Sequence, residues 1–259
     1  MNAANYSVMK AINHQQIVIP VEFSIACTIY KISIPEVLQV FIDYVRLYNL
    51  IDKTYEEGYS EAIHSIIFFV RSKKCRQRKC KALRYCEEIF DHCMNQIHML
   101  ADARNSGLSM AKKREYAEHA VETIFESMKR PHTLSDKLYL DEFSFLTLSQ
   151  DFCVLCELYN CYPKEYLEYF MGAISLADAH AHKGLKLQYN NFVFDFFMKI
   201  ATGFGRDSSS VTELSERELD FYELMAELPL KLYHVRSVEK RFLLLREVYY
   251  LHYQAMNQP

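Results

Sequence analysis

Apolar side chains recur at steps of three and four residues in two long stretches of the chain. This spacing places them on one face of an α-helix and leaves the charged residues on the opposite face. The first stretch contains Leu83, Cys86, Ile89, Phe90, Cys93, Ile97 and Leu100, and the second contains Tyr116, Ala117, Ala120, Val121, Ile124, Phe125 and Met128. Helices with one apolar stripe fold by packing those stripes together. We therefore expect an all-α protein.

Composition supports the same fold class. The 259 residues include only 6 glycines and 6 prolines, and an all-β chain of this length would need more turn residues. Half of the residues are hydrophobic and about a quarter are charged, which is typical of globular proteins. With 19 Tyr, 17 Phe and no Trp, aromatic rings are expected to fill much of the core.

The chain also contains an internal repeat. Residues Phe23–Ile42 align without a gap with Phe152–Met171, at an offset of 129, and six of the twenty positions are identical. We predict two diverged helical-bundle repeats of about five helices each, residues 1–133 and 134–259, packed with pseudo-two-fold symmetry. The alternative is two helical hairpins that share an apolar spacing without common descent.

One segment is strongly basic. Between Arg71 and Arg84, eight of fourteen residues are Lys or Arg, and none is acidic. These candidate macromolecule-binding residues are Arg71, Lys73, Lys74, Arg76, Arg78, Lys79, Lys81 and Arg84. Such a run repels itself unless it is solvated or faces an anion, so it indicates a surface for an acidic protein or for nucleic acid. The alternative is a solvated junction between two helices.

The repeated segment also resembles a helix-turn-helix in outline. Ser33 and Glu36 would cap its second helix, which in DNA-binding proteins lies in the major groove. The exposed side chains of that helix argue against this role, because Glu36 and Asp43 are acidic and only Gln39 is suited to reading bases. We therefore favour a hairpin used for packing and keep the DNA-binding hairpin as the alternative.

Metal, cofactor and catalytic motifs are weak or absent in the sequence. Cys153, Cys156 and Cys161 resemble half of a zinc site, but the repeat places Cys156 in the core. Asp178 and His182 would share a helical face while His180 points elsewhere, so the three cannot converge on one ion. Of the Glu-x-x-His pairs that di-iron bundles use, only Glu61 with His64 is present. The chain lacks the glycine-rich phosphate loops and the nucleophile elbow, so we expect no cofactor, no metal and no catalytic residue.

The N-terminus lacks the features of a signal peptide, and no apolar run approaches the roughly 18 residues of a membrane span. The eight cysteines do not indicate a disulfide scaffold in a chain of this length, and four of them, Cys86, Cys93, Cys153 and Cys156, fall within helical periodicity. Reduced cysteines in a cytoplasmic protein are the simplest interpretation. We therefore expect a cytoplasmic protein with no membrane partner. Its oligomeric state does not follow from the sequence.

The sequence favours a non-enzymatic helical binding or adaptor protein that engages an acidic protein surface or nucleic acid through its basic segment. One alternative is a DNA-binding transcriptional regulator with helix-turn-helix-like hairpins. Another is a helical enzyme with a site between the repeats.

Overall fold

The computed structural model of the protein describes residues 17–51, 59–72, 75, 86–129, 134–141, 143–203 and 215–257. These residues are mostly helical, which confirms the all-α prediction at the level of fold class. The helices are α1 Val21–Ile29, α2 Ile34–Tyr44, a 3₁₀ helix Leu47–Ile51, α3 Tyr59–Arg71, α4 Glu87–Asn105, α5 Met110–Met128, α6 Gln150–Leu158, α7 Pro163–Gly172, α8 Leu176–Gly184, α9 Phe192–Thr202, α10 Glu216–Lys231 and α11 Val238–Asn257.

A short β-hairpin interrupts the helical order. Strand β1, Lys137–Tyr139, pairs antiparallel with β2, Phe145–Thr147, so that Leu138 lies opposite Leu146. Leu146 is buried, while its neighbours Phe145 and Thr147 are exposed, which is the alternation of a strand with one face on the core. Each strand of this hairpin has only three residues, which is too short for an alternating apolar pattern to be recognised in the sequence.

The chain divides into two compact units. The first comprises Met1–Val18 with Pro35–Met171, and the second comprises Ile19–Ile34 with Gly172–Pro259. Each unit therefore contains two separate stretches of the sequence. The predicted boundary between residues 133 and 134 refers to the repeats rather than to these units, and it stays a prediction.

An aromatic cluster forms the centre of the first unit. The Phe41 ring stacks on Phe170 with the ring centroids 3.9 Å apart, and Tyr166 stacks on both Phe69 and Phe152. All five side chains are at most 1% exposed. Burying a side chain of this size contributes about 1.5–3 kcal/mol. The Tyr166 hydroxyl donates to the Ala62 carbonyl and shares a hydrogen bond with Ser65, so its polar end is satisfied.

The second unit is organised around α11, which packs along α8 and also contacts α1. In α1, Glu22 accepts hydrogen bonds from Arg246 Nε of α11 at 2.6 Å and from the Ser175 hydroxyl that caps α8 at 3.2 Å. The next residue of α1, Phe23, places its ring edge-on to Phe197 of α9. These contacts link three helices of the second unit to α1, although α1 lies far from them in the sequence.

The two aligned segments end their first helices with the same turn. Lys31 and Asn160 both have φ of 52°, and they occupy the same position in the sequence alignment of the two segments. In each turn the amide two residues after the helix cap bonds back into the last helical turn, from Ile32 to Cys27 and from Cys161 to Cys156, both at 2.9 Å. This is a Schellman motif, which explains why both cysteines are buried beside the turn. The aligned segments therefore match in local backbone conformation.

Helix boundaries follow the sequence patterns closely. The first periodic stretch lies in α4 from Ile89 to Leu100, while its first residue, Leu83, lies outside the described residues, and the second stretch lies in α5. A serine followed three residues later by a glutamate is the sequence pattern of a capping box, and Ser215 with Glu218 forms one at the start of α10. Pro229 lies inside α10, and the helix ends two residues after it, at Lys231. A proline lacks the amide that would donate to the carbonyl four residues earlier, which weakens the last turn of the helix.

Candidate functional site

The basic segment begins where α3 ends. Arg71, the last residue of α3, is exposed. Burial raises the pKa of the Tyr159 hydroxyl, and the nearby positive charge of Arg71 lowers it by a smaller amount. The other predicted binding residues, Lys73, Lys74, Arg76, Arg78, Lys79, Lys81 and Arg84, lie outside the described residues. The role of the segment stays a prediction.

Helix α2 is the one that a DNA-binding hairpin would place in the major groove, and its base-reading residue, Gln39, is hydrogen-bonded within the protein. Gln39 donates from Nε2 to the Thr147 carbonyl at 2.9 Å and accepts from the Thr147 amide at 3.0 Å through Oε1. Its side-chain amide thus extends β2 as a neighbouring strand would. This arrangement favours the packing hairpin over the DNA-binding hairpin.

The candidate metal ligands lie in separate environments. On α8, His182 Nδ1 lies 3.3 Å from a carboxylate oxygen of Asp178, whereas His180 points away from both and contacts Tyr249. Helical geometry predicts this separation. Within the described ranges, no group of three or more His, Cys, Asp or Glu residues could hold a metal ion.

His64, part of the single Glu-x-x-His pair, has both ring nitrogens engaged. Its Nδ1 contacts the Ser60 carbonyl, and Nη1 of Arg104 lies 2.7 Å from its Nε2. Burial lowers the pKa of His64, and the Arg104 charge lowers it further. A neutral ring that donates from Nδ1 and accepts at Nε2 fits these contacts, so His64 links α3 to α4.

A groove in the second unit combines an apolar floor with cationic side chains. Its volume is about 710 Å³, within the range of ligand-binding clefts. Apolar side chains from α10, from α11 and from the residues that directly follow α8 and α10 form its floor: Leu185, Met225, Leu228, Leu232 and Leu245. Its basic side chains are Lys183, Lys186, Arg236 and Arg241, and none of the described residues that line it is acidic.

Arg241 fixes the shape of this groove. It is only 5% exposed, and it donates from Nε to the Val235 carbonyl and from Nη2 to the Leu232 carbonyl, both at 2.7 Å. These bonds hold the loop between α10 and α11 against α11. The guanidinium reaches this position because α8 ends in Gly184, where a Cβ would lie 2.2 Å from Nη1 of Arg241.

A half-buried histidine and a buried tyrosine support the wall of the groove. His180 lines the groove, and its Nδ1 is hydrogen-bonded to the hydroxyl of Tyr249, which is 2% exposed. Burial and the charge of Lys183 lower the pKa of His180, while burial raises the pKa of Tyr249. Both groups are therefore neutral near pH 7, and the positive charge of the groove comes from its Lys and Arg side chains.

The basic groove residues form no recognisable pattern in the sequence. Lys183 and Lys186 lie in a short acid-free stretch, and Arg236 lies more than forty positions later. Neither stretch is basic enough to stand out. Packing of α8 against α11 brings them to one groove.

No family model, curated protein or solved structure matches this chain. Among the described residues, no single helix is long and apolar enough to cross a membrane; only α1 and α2, counted together across their turn, reach that length and composition.

Proposed function

We propose that this protein is a non-enzymatic binding protein whose macromolecular partner presents acidic side chains beside an apolar patch. The groove of the second unit carries the proposal, because its described lining combines buried leucines with basic residues and no carboxylate. The basic segment from Arg71 to Arg84 is proposed as a second cationic contact for such a partner.

The groove combines two kinds of interaction energy. Met225 is half-buried and Tyr233 is 59% exposed, so both provide accessible apolar surface in the groove beside its buried leucines. A partner's apolar side chain that covers this surface would be removed from water together with it. Lys183, Lys186 and Arg236 are exposed, so their charges steer an acidic partner and select against a basic one. Apolar contact then supplies affinity, and charge supplies specificity.

The internal repeat is part of the same proposal. Diverged helical repeats with pseudo-two-fold symmetry would allow one copy to act as scaffold while the other acquires a binding surface. The matching turns at Lys31 and Asn160 support the duplication locally. The stretch of the second half that corresponds to Arg71–Arg84 has no comparable basic density.

A peptide-binding assay tests the groove. The probe is a fluorescein-labelled amphipathic helical peptide with leucines on one face and glutamates beside them, and the readout is fluorescence anisotropy at low salt. We expect the triple variant Lys183→Ala, Lys186→Ala, Arg236→Ala to bind at least about tenfold more weakly, since each exposed ion pair contributes up to about 1 kcal/mol.

A matched control removes the same charge elsewhere. Lys112, Arg114 and Lys240 are exposed and do not line the groove, and their combined change to Ala is expected to leave the affinity nearly unchanged. Equal weakening by the two triple variants would show that only net charge matters, and absence of peptide binding to the native chain would refute the proposal.

Duplex DNA, used as the probe in the same assay, distinguishes the DNA-binding alternative from binding of an acidic protein. Binding that weakens steeply with salt and is lost when Lys73, Lys74, Arg76, Arg78 and Lys79 become Ala would replace the acidic partner with nucleic acid.

A further inference from the structure

Helix α10 exposes a row of large apolar side chains. Leu219, Tyr222 and Leu230 are 47%, 49% and 80% exposed. Their spacing of three and eight residues, with exposed Ala226 between them, places them along one face of the helix. Exposed apolar side chains that line up on one helix mark an interaction surface more often than isolated ones do.

Acidic side chains accompany this row. Asp220, Glu223 and Glu227 are exposed and follow one another at steps of three and four residues, directly beside the apolar positions. Glu227 forms an ion pair with Lys231 of the same helix, 2.8 Å away, and both groups remain accessible. The outer face of α10 is therefore an acidic amphipathic surface.

The inner face of the same helix contributes to the groove. Met225, Leu228 and Leu232 line the groove and face away from the row of Leu219, Tyr222 and Leu230. One helix thus presents a cationic apolar groove on one side and an acidic apolar row on the other. Because the two faces point in different directions, α10 cannot fill the groove that it helps to form.

We propose that the groove receives the outer face of α10 from a second copy of this chain. The inference rests on the proposed function, since it names the partner of the same groove. Charge complementarity carries it: Asp220 and Glu223 of one copy meet Lys183, Lys186 and Arg236 of the next, while Leu219, Tyr222 and Leu230 cover the leucine floor. One chain therefore carries both the cationic groove and the acidic helix face that would occupy it.

This contact is head-to-tail. Each molecule offers one groove and one outer face, so a pair of molecules leaves one of each unused. Assemblies therefore grow with protein concentration beyond the dimer unless the rotation between neighbours closes a ring. A symmetric contact between identical patches would stop at the dimer.

Sedimentation velocity over a wide concentration range tests the inference on the full chain. The groove variant Lys183→Ala, Lys186→Ala, Arg236→Ala and the helix variant Leu219→Ser, Asp220→Ala, Leu230→Ser are each expected to associate at least tenfold more weakly than the native chain. Circular dichroism and thermal melting check that both variants are folded.

Mixing the two variants gives the sharper result. The helix variant keeps an intact groove and the groove variant keeps an intact α10, so an equimolar mixture is expected to form a one-to-one dimer that grows no further. A matched control, Leu243→Ser with Leu251→Ser on α11, changes two exposed leucines outside the proposed contact and is expected to leave association unchanged.

Other outcomes overturn the inference. A native chain that stays monomeric while it binds the acidic peptide would remove the second copy as partner and leave the proposed function intact. Association that survives in both variants, that is lost in the α11 control, or that is not recovered by mixing would place the contact elsewhere. A native chain that associates with itself but does not bind the acidic peptide would instead refute the proposed function.

Discussion

Arg241 is buried, and two hydrogen bonds of its guanidinium offset part of the cost of removing its charge from water. Nη2 donates to the Leu232 carbonyl and Nε to the Val235 carbonyl, and burying the charge without these bonds would cost several kcal/mol. Gly184 makes this possible by leaving space for Nη1. A glycine at the end of a helix usually allows a backbone conformation that other residues avoid, whereas Gly184 leaves room for the Arg241 side chain.

The change Gly184→Ala tests this packing. In an open helical position Ala is more stable than Gly by about 1 kcal/mol, but a Cβ 2.2 Å from Nη1 must displace the guanidinium from its two carbonyls. We therefore expect the free energy of unfolding in urea to fall by about 1–3 kcal/mol. Gly107→Ala is the control, because no atom lies within 4 Å of its Cβ position. A stabilised Gly184→Ala variant would contradict the assignment.

Helix α10 depends on interactions at its first turn. The Ser215 hydroxyl accepts from the Glu218 amide, and the Glu218 carboxylate accepts from the Ser215 amide at 2.7 Å. Lys31, at the turn after α1, adds an ion pair of 2.7 Å to the same carboxylate. This carboxylate therefore caps α10 and attaches it to the end of α1.

The pH dependence of stability follows from Glu218. Its hydrogen bond with Lys31, followed by those with Ser215, lowers the pKa from 4.5 to about 2. Because the pKa is lower in the folded state, the stabilisation is complete above pH 4.5 and is lost as the pH falls through about 2. We expect Glu218→Gln to be less stable than the native chain by up to about 1 kcal/mol at pH 7.

Urea unfolding of both proteins at pH 7 and near pH 2 measures this difference, which should disappear at the lower pH. Ser149→Ala serves as a comparison, because the Ser149 hydroxyl caps α6 by accepting from the Phe152 amide and donates to the Ile42 carbonyl, both neutral groups. Its removal should cost about 1 kcal/mol at both pH values. A Glu218→Gln deficit that persists unchanged near pH 2 would argue that the charge has no part in it.

At the scale of the whole molecule, sequence order and spatial grouping differ. Helix α1 belongs to the second unit, whose other residues begin at Gly172. Within that unit α1 contributes Glu22 to two hydrogen bonds and Phe23 and Tyr30 to contacts with the Phe197 ring. A chain segment that starts after α1 would lack these contacts and expose the rings they cover.

We therefore expect a fragment of residues 172–259 to be poorly folded by itself and to gain helicity when a peptide of residues 19–34 is added. Circular dichroism during the titration measures the gain. A peptide with Glu22→Ala and Phe23→Ala is the control and should produce much less. A fragment that unfolds cooperatively without any peptide would refute the dependence on α1.

Local features of this structure were predictable from local sequence. The apolar spacing predicted α4 and α5, the Ser215 and Glu218 spacing predicted a capping box, and the step from Asp178 to His182 predicted a shared face. Each depends on residues within a few positions of one another, where the geometry of the helix alone decides which side chains meet. The β-hairpin was missed because its strands are shorter than any detectable period.

The sequence by itself determined a mostly helical chain and the ends of several helices, and the two segments that align in sequence adopt the same turn. Only the tertiary structure decided that α1 joins the second unit and that Lys183, Lys186 and Arg236 share one groove with Leu228 and Leu245. The physical reason is the range of the interactions. Backbone hydrogen bonds and caps act within one turn of helix, whereas burial depends on which apolar faces meet, and many distant pairings satisfy the same pattern.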